Sequence, residues 1–436
     1  MNFKSPQKTM RHNYVVYADF ESRLEHVDEG VHPAAAYRRH VPMSYAYILV
    51  TEDPRFKMTE PSLYRGEMAH YRFLDEMINQ AVKIAGCYND KETGVIMSEE
   101  DRTAFEAADK CKICGVNFSE PGVTKVRDHN HQTAAVPNYR MALCQRCNVN
   151  YSHPKNMVVF FHNLKYDIHH VTKAMNKFPH TVEIIPSTEE DYISMTVRLG
   201  QSFSIKFVDS YRFLAASLDR LAQTIPTESF VRTRALCRTE EEFDMVKRKA
   251  PFCYDYVDSA ARMNETVPPP REAFFNTLTQ AHISDEEYER FLRVWQSFGF
   301  ATLGEYSDFY LRLDVCLLAD VFEEFRSFGA KHYGLDCAHY LTLPGFALDA
   351  FLKINKAKIK LFDDMDMVLM IMSSIRGGIT QLVKKHAVAN NPSVPEQFDP
   401  RRAPSAMATA TSGSTEPRSA SSRAGTPRTS VLTRLE

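Results

Sequence analysis

Short runs of β-branched and aromatic residues, each the length of a single strand, recur in the first half of the chain. They occupy residues 14–19, 43–49, 157–161, 192–198 and 203–208, and such runs are typical of buried or half-buried strands. Apolar residues recur at helical spacing over 68–85, before Gly86, and over 304–333, before Gly334, which predicts two amphipathic helices that end at a glycine. Strands followed by helices predict one mixed sheet covered by helices, an α/β (α+β) domain.

The balance of charges limits how the chain can bind nucleic acid. Of 436 residues, 53 are Lys or Arg and 55 are Asp or Glu, which gives a net charge of −2. A nearly neutral chain does not attract polyanions through its overall charge, so any such contact must come from local patches. The length corresponds to about three domains of roughly 150 residues.

No stretch of the sequence predicts a membrane span or a secretory signal. The longest apolar candidate, 41–51, has only the length of a strand, and residues 1–13 lack the apolar core of a signal peptide. Nine cysteines are too few for a disulfide scaffold in a chain of this length. We therefore expect an intracellular protein that is neither secreted nor bound to membranes.

Composition divides the chain into five segments. Residues 87–155 are polar and rich in turn residues, and we interpret them as a module inserted between two parts of one sheet domain, 1–86 and 156–335. Residues 336–402 form a further region, and 403–436 are rich in Ser, Thr, Ala, Arg and Pro. A segment with so few large apolar groups cannot bury enough surface to fold, so we predict a disordered tail.

Three separated elements each present a carboxylate where a site at the sheet edge would form. Asp19 and Glu21 are two residues apart at the end of the first strand, so both point to one face of the sheet. Asp167 follows the third predicted strand, and Tyr310 and Asp314 share one face of the long helix. Taken singly, they would equally fit a surface pair, a helix cap and an exposed helical Asp. Together the four carboxylates could hold two Mg²⁺ ions about 3.5–4 Å apart, as in the hydrolysis of phosphodiesters.

Three motifs lie on these elements in a defined order. They read D-F-E at 19–21, N-L-K-Y-D at 163–167 and Y-x-x-x-D at 310–314. In this order they resemble the three exonuclease motifs of family B DNA polymerases, above all the protein-primed polymerases of viruses and of large self-synthesising (Polinton-like) transposons. Shorter matches to the same family are F-V-D-S-Y at 207–211, S-L-D-R-L at 217–221, L-P-G-F at 343–346 and R-G-G-I at 376–379. The resemblance covers residues from about 12 to 400.

This resemblance implies a ribonuclease-H-like 3′–5′ exonuclease domain, with 336–402 as the start of the polymerase region. The implied ligands of two Mg²⁺ or Mn²⁺ ions are Asp19, Glu21, Asp167 and Asp314, and Tyr310 is implied to orient the attacking water. The implied DNA-binding residues are Asn163, Tyr166, Ser217, Leu218, Arg376, Gly377 and Gly378. The implied partners are a single-stranded 3′ end and primer–template DNA, and a terminal protein that primes replication stays an open candidate.

The polymerase centre of this family needs two further motifs. These are an early D-x-x-S/N-L-Y and a later D-T-D, which both supply Asp ligands for the metal ions that carry the incoming nucleotide. Neither occurs in the sequence, which runs through 397–400 into the predicted tail. We therefore expect a truncated DNA-directed DNA polymerase that carries an exonuclease site and does not itself polymerise DNA.

The predicted insert contains two C-x-x-C pairs. Cys111 and Cys114 form the first pair, and Cys144 and Cys147 form the second. Four thiolates in two such pairs are typical of a tetrahedral structural Zn²⁺ site. The alternative is four unrelated buried cysteines.

Between and after these pairs, the insert resembles the His-Asn-His endonucleases of the phage endonuclease VII type. The residues concerned are Asp128, His129 and His131 in R-D-H-N-H, and Asn148 after the last cysteine. The resemblance implies that His129 is a general base and that Asp128 and Asn148 bind one Mg²⁺. Two alternatives stay open: a structural or DNA-binding insert without cleavage, and His129 or His131 as a zinc ligand.

Three hypotheses of function result. The first is a Mg²⁺-dependent 3′–5′ exonuclease within a fragment of a family B DNA polymerase. The second is an endonuclease that acts through the insert. The third is a folded relic that binds DNA without catalysis.

Overall fold

The computed structural model describes most of the chain. The described residues are 1–26, 38–89, 94–129, 137–151, 154–188, 191–200, 203–277 and 279–374. The predicted DNA-binding residues Arg376, Gly377 and Gly378 and the predicted tail at 403–436 lie outside them. The chain divides into two compact units, Met1–Lys360 and Leu361–Glu436.

Two sheets occur among the described residues. Their strands are β1 (Val15–His26), β2 (Arg38–Val50), β3 (Ser62–Arg65), β4 (Lys125–His129), β5 (Tyr139–Cys144), β6 (Asn156–Phe161), β7 (Thr181–Pro186), β8 (Tyr192–Leu199) and β9 (Phe203–Asp209). Seven strands form one sheet in the order β3-β2-β1-β6-β9-β8-β7, and β4 pairs with β5 in a small sheet of its own. β6 is parallel to β1 and β9, whereas the remaining pairs are antiparallel. This mixed sheet confirms the predicted α/β class.

The helices lie around the large sheet, in the insert and in the C-terminal part of the chain. They are α1 (Ala69–Asn89), α2 (Glu99–Ala107), α3 (Gln145–Asn150), α4 (Leu164–Met175), α5 (Leu218–Ala222), α6 (Val231–Ala235), α7 (Glu240–Val246), α8 (Asp285–Phe298), α9 (Leu303–Tyr333), α10 (Leu343–Ile354) and α11 (Met365–Ser374). α11 is the helix described in the second unit. No helix within the described ranges has the length and apolar character needed to cross a membrane.

The sequence analysis predicted five of the nine described strands, missing β3, β4, β5 and β7, and among the described helices it predicted α1 and α9. β7 was not predicted, because it is an edge strand whose residues are mostly exposed and so do not alternate in hydrophobicity. α1 was expected to end before Gly86 but continues to Asn89. α9 ends as predicted, since Gly334 follows it in the left-handed region at φ 60°. The five predicted strands and both predicted helices are otherwise confirmed.

Both faces of the large sheet are covered by apolar layers. On one face, α9 packs across β1 and β2. It supplies more buried residues than any other element to a core that includes Tyr17 and Phe160. On the other face, α1 and α4 pack over a second core that includes Phe20 and Phe161. Successive residues of a strand point to opposite faces, so β1 supplies both cores in alternation.

The segment between α1 and β6 has a small core of its own. This core contains Cys111, Leu143, Cys144 and Tyr151, together with Met10 from the N-terminal segment. The β4–β5 hairpin supplies its sheet, and α2 and α3 flank it. The predicted insert therefore folds around separate elements, while Met10 ties it to the chain that leads into β1.

Candidate active site

Asp19 and Glu21 lie on the sheet face that α9 covers. They continue the alternation of Val15 and Tyr17, whose side chains belong to the core on that face. Asp19 is half-buried and Glu21 is 6% exposed. The register of β1 against β2 shifts directly after Glu21, and such irregularities are frequent beside active sites because they re-aim side chains. The strand thus carries both carboxylates on the face of the sheet that α9 covers.

Asp167, in the first turn of α4, lies near Asp19 and Glu21. The turn from β6 into α4 passes through Asn163, which adopts a left-handed conformation at φ 69°, one that Asn tolerates better than most residues. Asp209, at the end of β9, accepts the backbone N–H of Asn163 at 2.9 Å and that of Tyr211 at 2.9 Å. Because β1, β6 and β9 are parallel neighbours, their carboxyl ends share one edge of the sheet. Asp209 therefore fixes the turn that delivers Asp167.

Asp314 comes from the long helix. It is 1% exposed, and Tyr310 one turn earlier is fully buried. The Nζ atom of Lys249 lies 2.7 Å from the Oδ2 atom of Asp314. The Oδ1 atoms of Asp314 and Asp167 are buried without a hydrogen-bond partner. A buried carboxylate oxygen without a partner is costly. A bound cation or a hydrogen-bond donor from outside the protein would therefore stabilise these atoms.

The four carboxylates lie close enough to perturb one another. Burial and the charge of Asp314 raise the pKa of Asp19 to about 7. Burial and Asp19 raise the pKa of Glu21 well above its usual value, and burial, Asp19 and Glu21 do the same to the pKa of Asp167. Buried like charges disfavour ionisation of their neighbours, so full ionisation of the cluster is unfavourable with Lys249 as its nearby cation.

No three of these four carboxylates bring oxygen atoms within 4.8 Å of one another; among the described residues, only the four cysteines form a group of three or more metal-ligand atoms that close. A site for two ions about 3.5–4 Å apart spreads its ligands over a wider space than a site for one. Lys249 is the cation that the cluster holds in this structure. Although burial lowers the pKa of Lys249, Asp314, Tyr254 and Asp19 raise it well above its usual value.

Tyr310 is held in place by aromatic neighbours. Its hydroxyl shares a hydrogen bond with that of Tyr254, and Phe252 stacks on its ring at 4.7 Å between centroids. Tyr254 is 39% exposed, so this pair of phenols connects the buried carboxylates with solvent.

The predicted DNA-binding residues lie in different environments. Asn163 and Tyr166 are exposed beside the cluster, and the Tyr166 hydroxyl lies 2.8 Å from Nδ1 of His40. The Ser217 hydroxyl accepts the Arg220 backbone N–H at 3.3 Å and so caps α5. Leu218 is 7% exposed and packs in the core.

Sequence reasoning missed Lys249 and Tyr254 and assigned no role to Asp209. Lys249 and Tyr254 lie in the irregular chain between α7 and α8, where no periodicity points to them. A single lysine among 53 basic residues carries no signal of its own. Asp209 was detectable in principle, since it directly follows the predicted strand 203–208, which lies parallel to β6 in the structure.

Four cysteines form a second cluster, in the insert. The Sγ atoms of Cys111, Cys114, Cys144 and Cys147 all lie within 4.8 Å of one another, and those of Cys114 and Cys144 are 3.8 Å apart. Zinc–sulfur bonds of about 2.3 Å at tetrahedral angles place the sulfurs roughly 3.8 Å apart. Although burial raises the pKa of Cys111, backbone N–H donors led by Cys114 lower it to about 7, which favours the thiolate. The cluster could therefore hold a metal ion such as Zn²⁺.

The residues of the predicted endonuclease site are engaged elsewhere. Asp128 is buried and paired with Arg140, with an Nη2–Oδ1 distance of 2.8 Å and an Nε–Oδ2 distance of 2.8 Å. Nδ1 of His129 lies 3.2 Å from the carbonyl oxygen of Arg127, and Asn148 is half-buried in α3. The bidentate pair gives Asp128 a structural role within the hairpin.

No model of a known protein family matches the chain, and no curated protein matches it. Among solved structures, it is similar to phi29 DNA polymerase. The complex with primer–template DNA and incoming nucleotides shares 10% identity, with a TM-score of 0.37, over 85% of this chain and 40% of that chain. The complex with single-stranded DNA shares 12% identity, with a TM-score of 0.37, over 85% of this chain and 41% of that chain. The chain thus spans about two-fifths of the length of these polymerases.

Proposed function

We propose that this chain is the exonuclease-bearing part of a family B DNA polymerase of the protein-primed type, and that it removes nucleotides from single-stranded 3′ ends. The observation that carries this proposal is the meeting of Asp19, Glu21, Asp167 and Asp314 from three separate elements, with two buried oxygens left without partners. The three sequence motifs support the same assignment. Residues 1–86 and 156–335 are then the exonuclease domain, and 336–402 begin the polymerase region.

The donor set suits hard divalent cations, which take oxygen ligands. Asp19, Glu21, Asp167 and Asp314 would hold two Mg²⁺ or Mn²⁺ ions, which would supply charge stabilisation for the phosphodiester and acidify the attacking water. Tyr310 positions that water, with its hydroxyl fixed by Tyr254. Asn163 and Tyr166, exposed beside the cluster, bind the frayed strand.

Hydrolysis of a 5′-labelled single-stranded oligonucleotide by the full chain tests this proposal. With Mg²⁺ we expect stepwise shortening from the 3′ end, and the Asp19→Ala variant should lose at least about a hundredfold in rate because a metal ligand is gone. Asp75→Asn, an exposed change on α1, is the control and should keep full rate. Stepwise shortening that Asp19→Ala leaves intact would contradict the assignment.

For the insert, we propose a zinc-stabilised structural or DNA-binding module. The spacing of the four cysteine sulfurs supports a Zn²⁺ site. The pairing of Asp128 with Arg140 favours this role over endonuclease chemistry. DNA is the proposed partner of the whole chain, and a terminal protein is the proposed primer of the parent polymerase.

A further inference from the structure

One face of the large sheet is polar at the end where β6 and β9 begin, away from the acidic cluster at their carboxyl ends. In β8 and β9, Met195, Val197, Ile205 and Phe207 point into the core beneath α1 and α4. The alternating residues point the other way. They are Ser194, Thr196, Arg198, Ser204 and Lys206.

The strand register gathers these residues into one patch. Thr196 is paired directly with Lys206, and Arg198 with Ser204, while Ser204 is also paired with Asn156 of β6. Paired residues on neighbouring strands share a face of the sheet. The patch lines a groove of about 380 Å³ that Leu341 borders. We name it the lysine groove and define it by Lys155, Asn156, Ser194, Thr196, Ser204 and Lys206.

The groove contains hydrogen-bond donors that no described residue uses. The side-chain ammonium groups of Lys155 and Lys206 form no hydrogen bond or ion pair with any part of the chain that the structure describes. The hydroxyls of Ser194, Thr196 and Ser204 likewise have no hydrogen-bond partner there. The other basic group on the patch, Arg198, is already bound by Glu183 at 3.0 and 2.8 Å.

A solvated polar surface does not account for this arrangement. Ser194, Thr196 and Ser204 are 2%, 8% and 6% exposed, and Lys206 is half-buried. Burial and the nearby charge of Arg198 lower the pKa of Lys206. Glu183, the one carboxylate among the lining residues, acts in the opposite direction on this pKa but is bound to Arg198. Lys155 and Lys206 therefore leave an excess of positive charge in the lining. A partly buried ammonium group without an ion pair of its own is unfavourable, so the groove suits an anion.

We propose that the lysine groove binds the phosphate backbone of single-stranded DNA, with Lys155 and Lys206 as the charged contacts and the three hydroxyls as neutral donors. Phosphate oxygens accept from Lys and from Ser and Thr hydroxyls in most nucleic-acid complexes. The groove is open to solvent and is lined by two lysines, so a polymer that carries several phosphates can contact both. The choice of DNA as the polymer rests on the proposed function.

Fluorescence anisotropy of the full chain with a labelled oligothymidylate of about 20 nucleotides, longer than common single-strand site sizes, tests the proposal. No magnesium is added, so hydrolysis does not contribute. For the double variant Lys155→Met/Lys206→Met we expect roughly tenfold weaker binding at moderate salt and a salt slope smaller by about 1.4, because each single-strand phosphate contact contributes about 0.7. Lys83→Met, on the exposed side of α1, removes one charge and should change neither quantity.

A second variant keeps the test decisive if the double variant does not fold. Ser204→Asp places a carboxylate in the groove, where it would repel phosphate, and should also weaken binding. Unchanged affinity and salt slope in the folded variants would overturn the proposal. Equal competition by polyglutamate or by inorganic phosphate would overturn it as well, since the groove would then bind anions in general.

The outcome is separable from that of the exonuclease assay. If Asp19→Ala left hydrolysis intact while the groove variants weakened binding, the proposed function would fail and the DNA-binding groove would stand. If Asp19→Ala abolished hydrolysis while the groove variants bound normally, the groove assignment alone would fail.

Discussion

Arg326 is a fully buried guanidinium on α9, 1% exposed, and it is paired with two carboxylates, Asp336 and Glu323. Nε and Nη2 of Arg326 donate to Asp336 at 2.9 and 2.6 Å. Asp336 also accepts the backbone N–H groups of His12 at 2.7 Å and Ala338 at 3.0 Å. These contacts join the end of the long helix to the segment that enters β1, so a single side chain links two distant parts of the fold.

Asp336→Asn should lower the free energy of unfolding by about 3–5 kcal/mol, the usual cost of removing one partner of a buried ion pair. Urea denaturation at pH 7 measures this change. Burial would raise the pKa of Asp336, yet Arg326 holds it well below the usual value. The stabilisation is therefore present above the unfolded pKa of about 3.9 and is lost as the pH falls below it toward the folded pKa.

The difference between wild type and Asp336→Asn should accordingly shrink as the pH is lowered from 5 toward 3 on the scale set by that carboxyl pKa of about 3.9. Asp75→Asn serves as the control, because Asp75 is exposed on α1, and its unfolding free energy should stay within about 0.5 kcal/mol of wild type. A constant difference across this pH range would contradict the role assigned to the carboxylate.

At the scale of elements, two glycines at similar positions in the sequence pattern act differently. Gly334 ends α9 in the left-handed region at φ 60°, where an added Cβ would meet Nζ of Lys353 at 2.6 Å. Gly86 lies inside α1, and an added Cβ there would meet nothing within 4 Å. A glycine is required only where the backbone conformation excludes other residues.

Alanine should therefore have opposite effects at the two positions. Gly334→Ala should destabilise the protein by about 1 kcal/mol through left-handed strain, and Gly86→Ala should stabilise it by about 0.5–1 kcal/mol through helix propensity. Thermal and urea unfolding of the two single variants measure the signs. Two shifts of the same sign would show that the environment of one glycine is misjudged.

The kind of element that carries each site residue also determines whether the sequence could predict its position. Asp19, Glu21, Tyr310 and Asp314 lie on strongly periodic segments, so their faces could be predicted from spacing alone. Lys249 lies on irregular chain, where position depends on packing against α9. The lysine groove depends on the register of β6, β8 and β9, which brings together residues that no local pattern connects.

At the scale of the whole molecule, the insert and the large sheet have separate cores. The proposed insert lies between α1 and β6 and contributes no residue to the acidic cluster. Its links to the rest include Met10 in the insert core and the contact between the hydroxyls of Thr9 and Tyr151 at 3.4 Å. Loss of order in the insert should therefore leave the sheet folded.

Removal of one cysteine ligand tests this separation. The purified chain should contain one Zn²⁺, and Cys114→Ser should lose it, because a structural site needs all four ligands and its binding energy, about 10–16 kcal/mol in zinc-finger peptides, is folding energy. Zinc analysis by mass spectrometry measures the content, and limited proteolysis should then cut first within 108–150. Cys87→Ser, a change at a cysteine outside the four-cysteine cluster, should keep the metal and resist cleavage there.

The same variant tests whether the insert affects the proposed exonuclease activity. Because none of the four carboxylates lies in the insert, zinc-free Cys114→Ser should retain at least about half of the hydrolysis rate, a loss of less than about 0.5 kcal/mol in activation free energy. Unfolding of β1, β6 and β9 together with the insert, seen as early cuts in those strands, would mean that the zinc site supports the whole fold. Full retention of zinc in Cys114→Ser would mean instead that the four cysteines do not form the metal site.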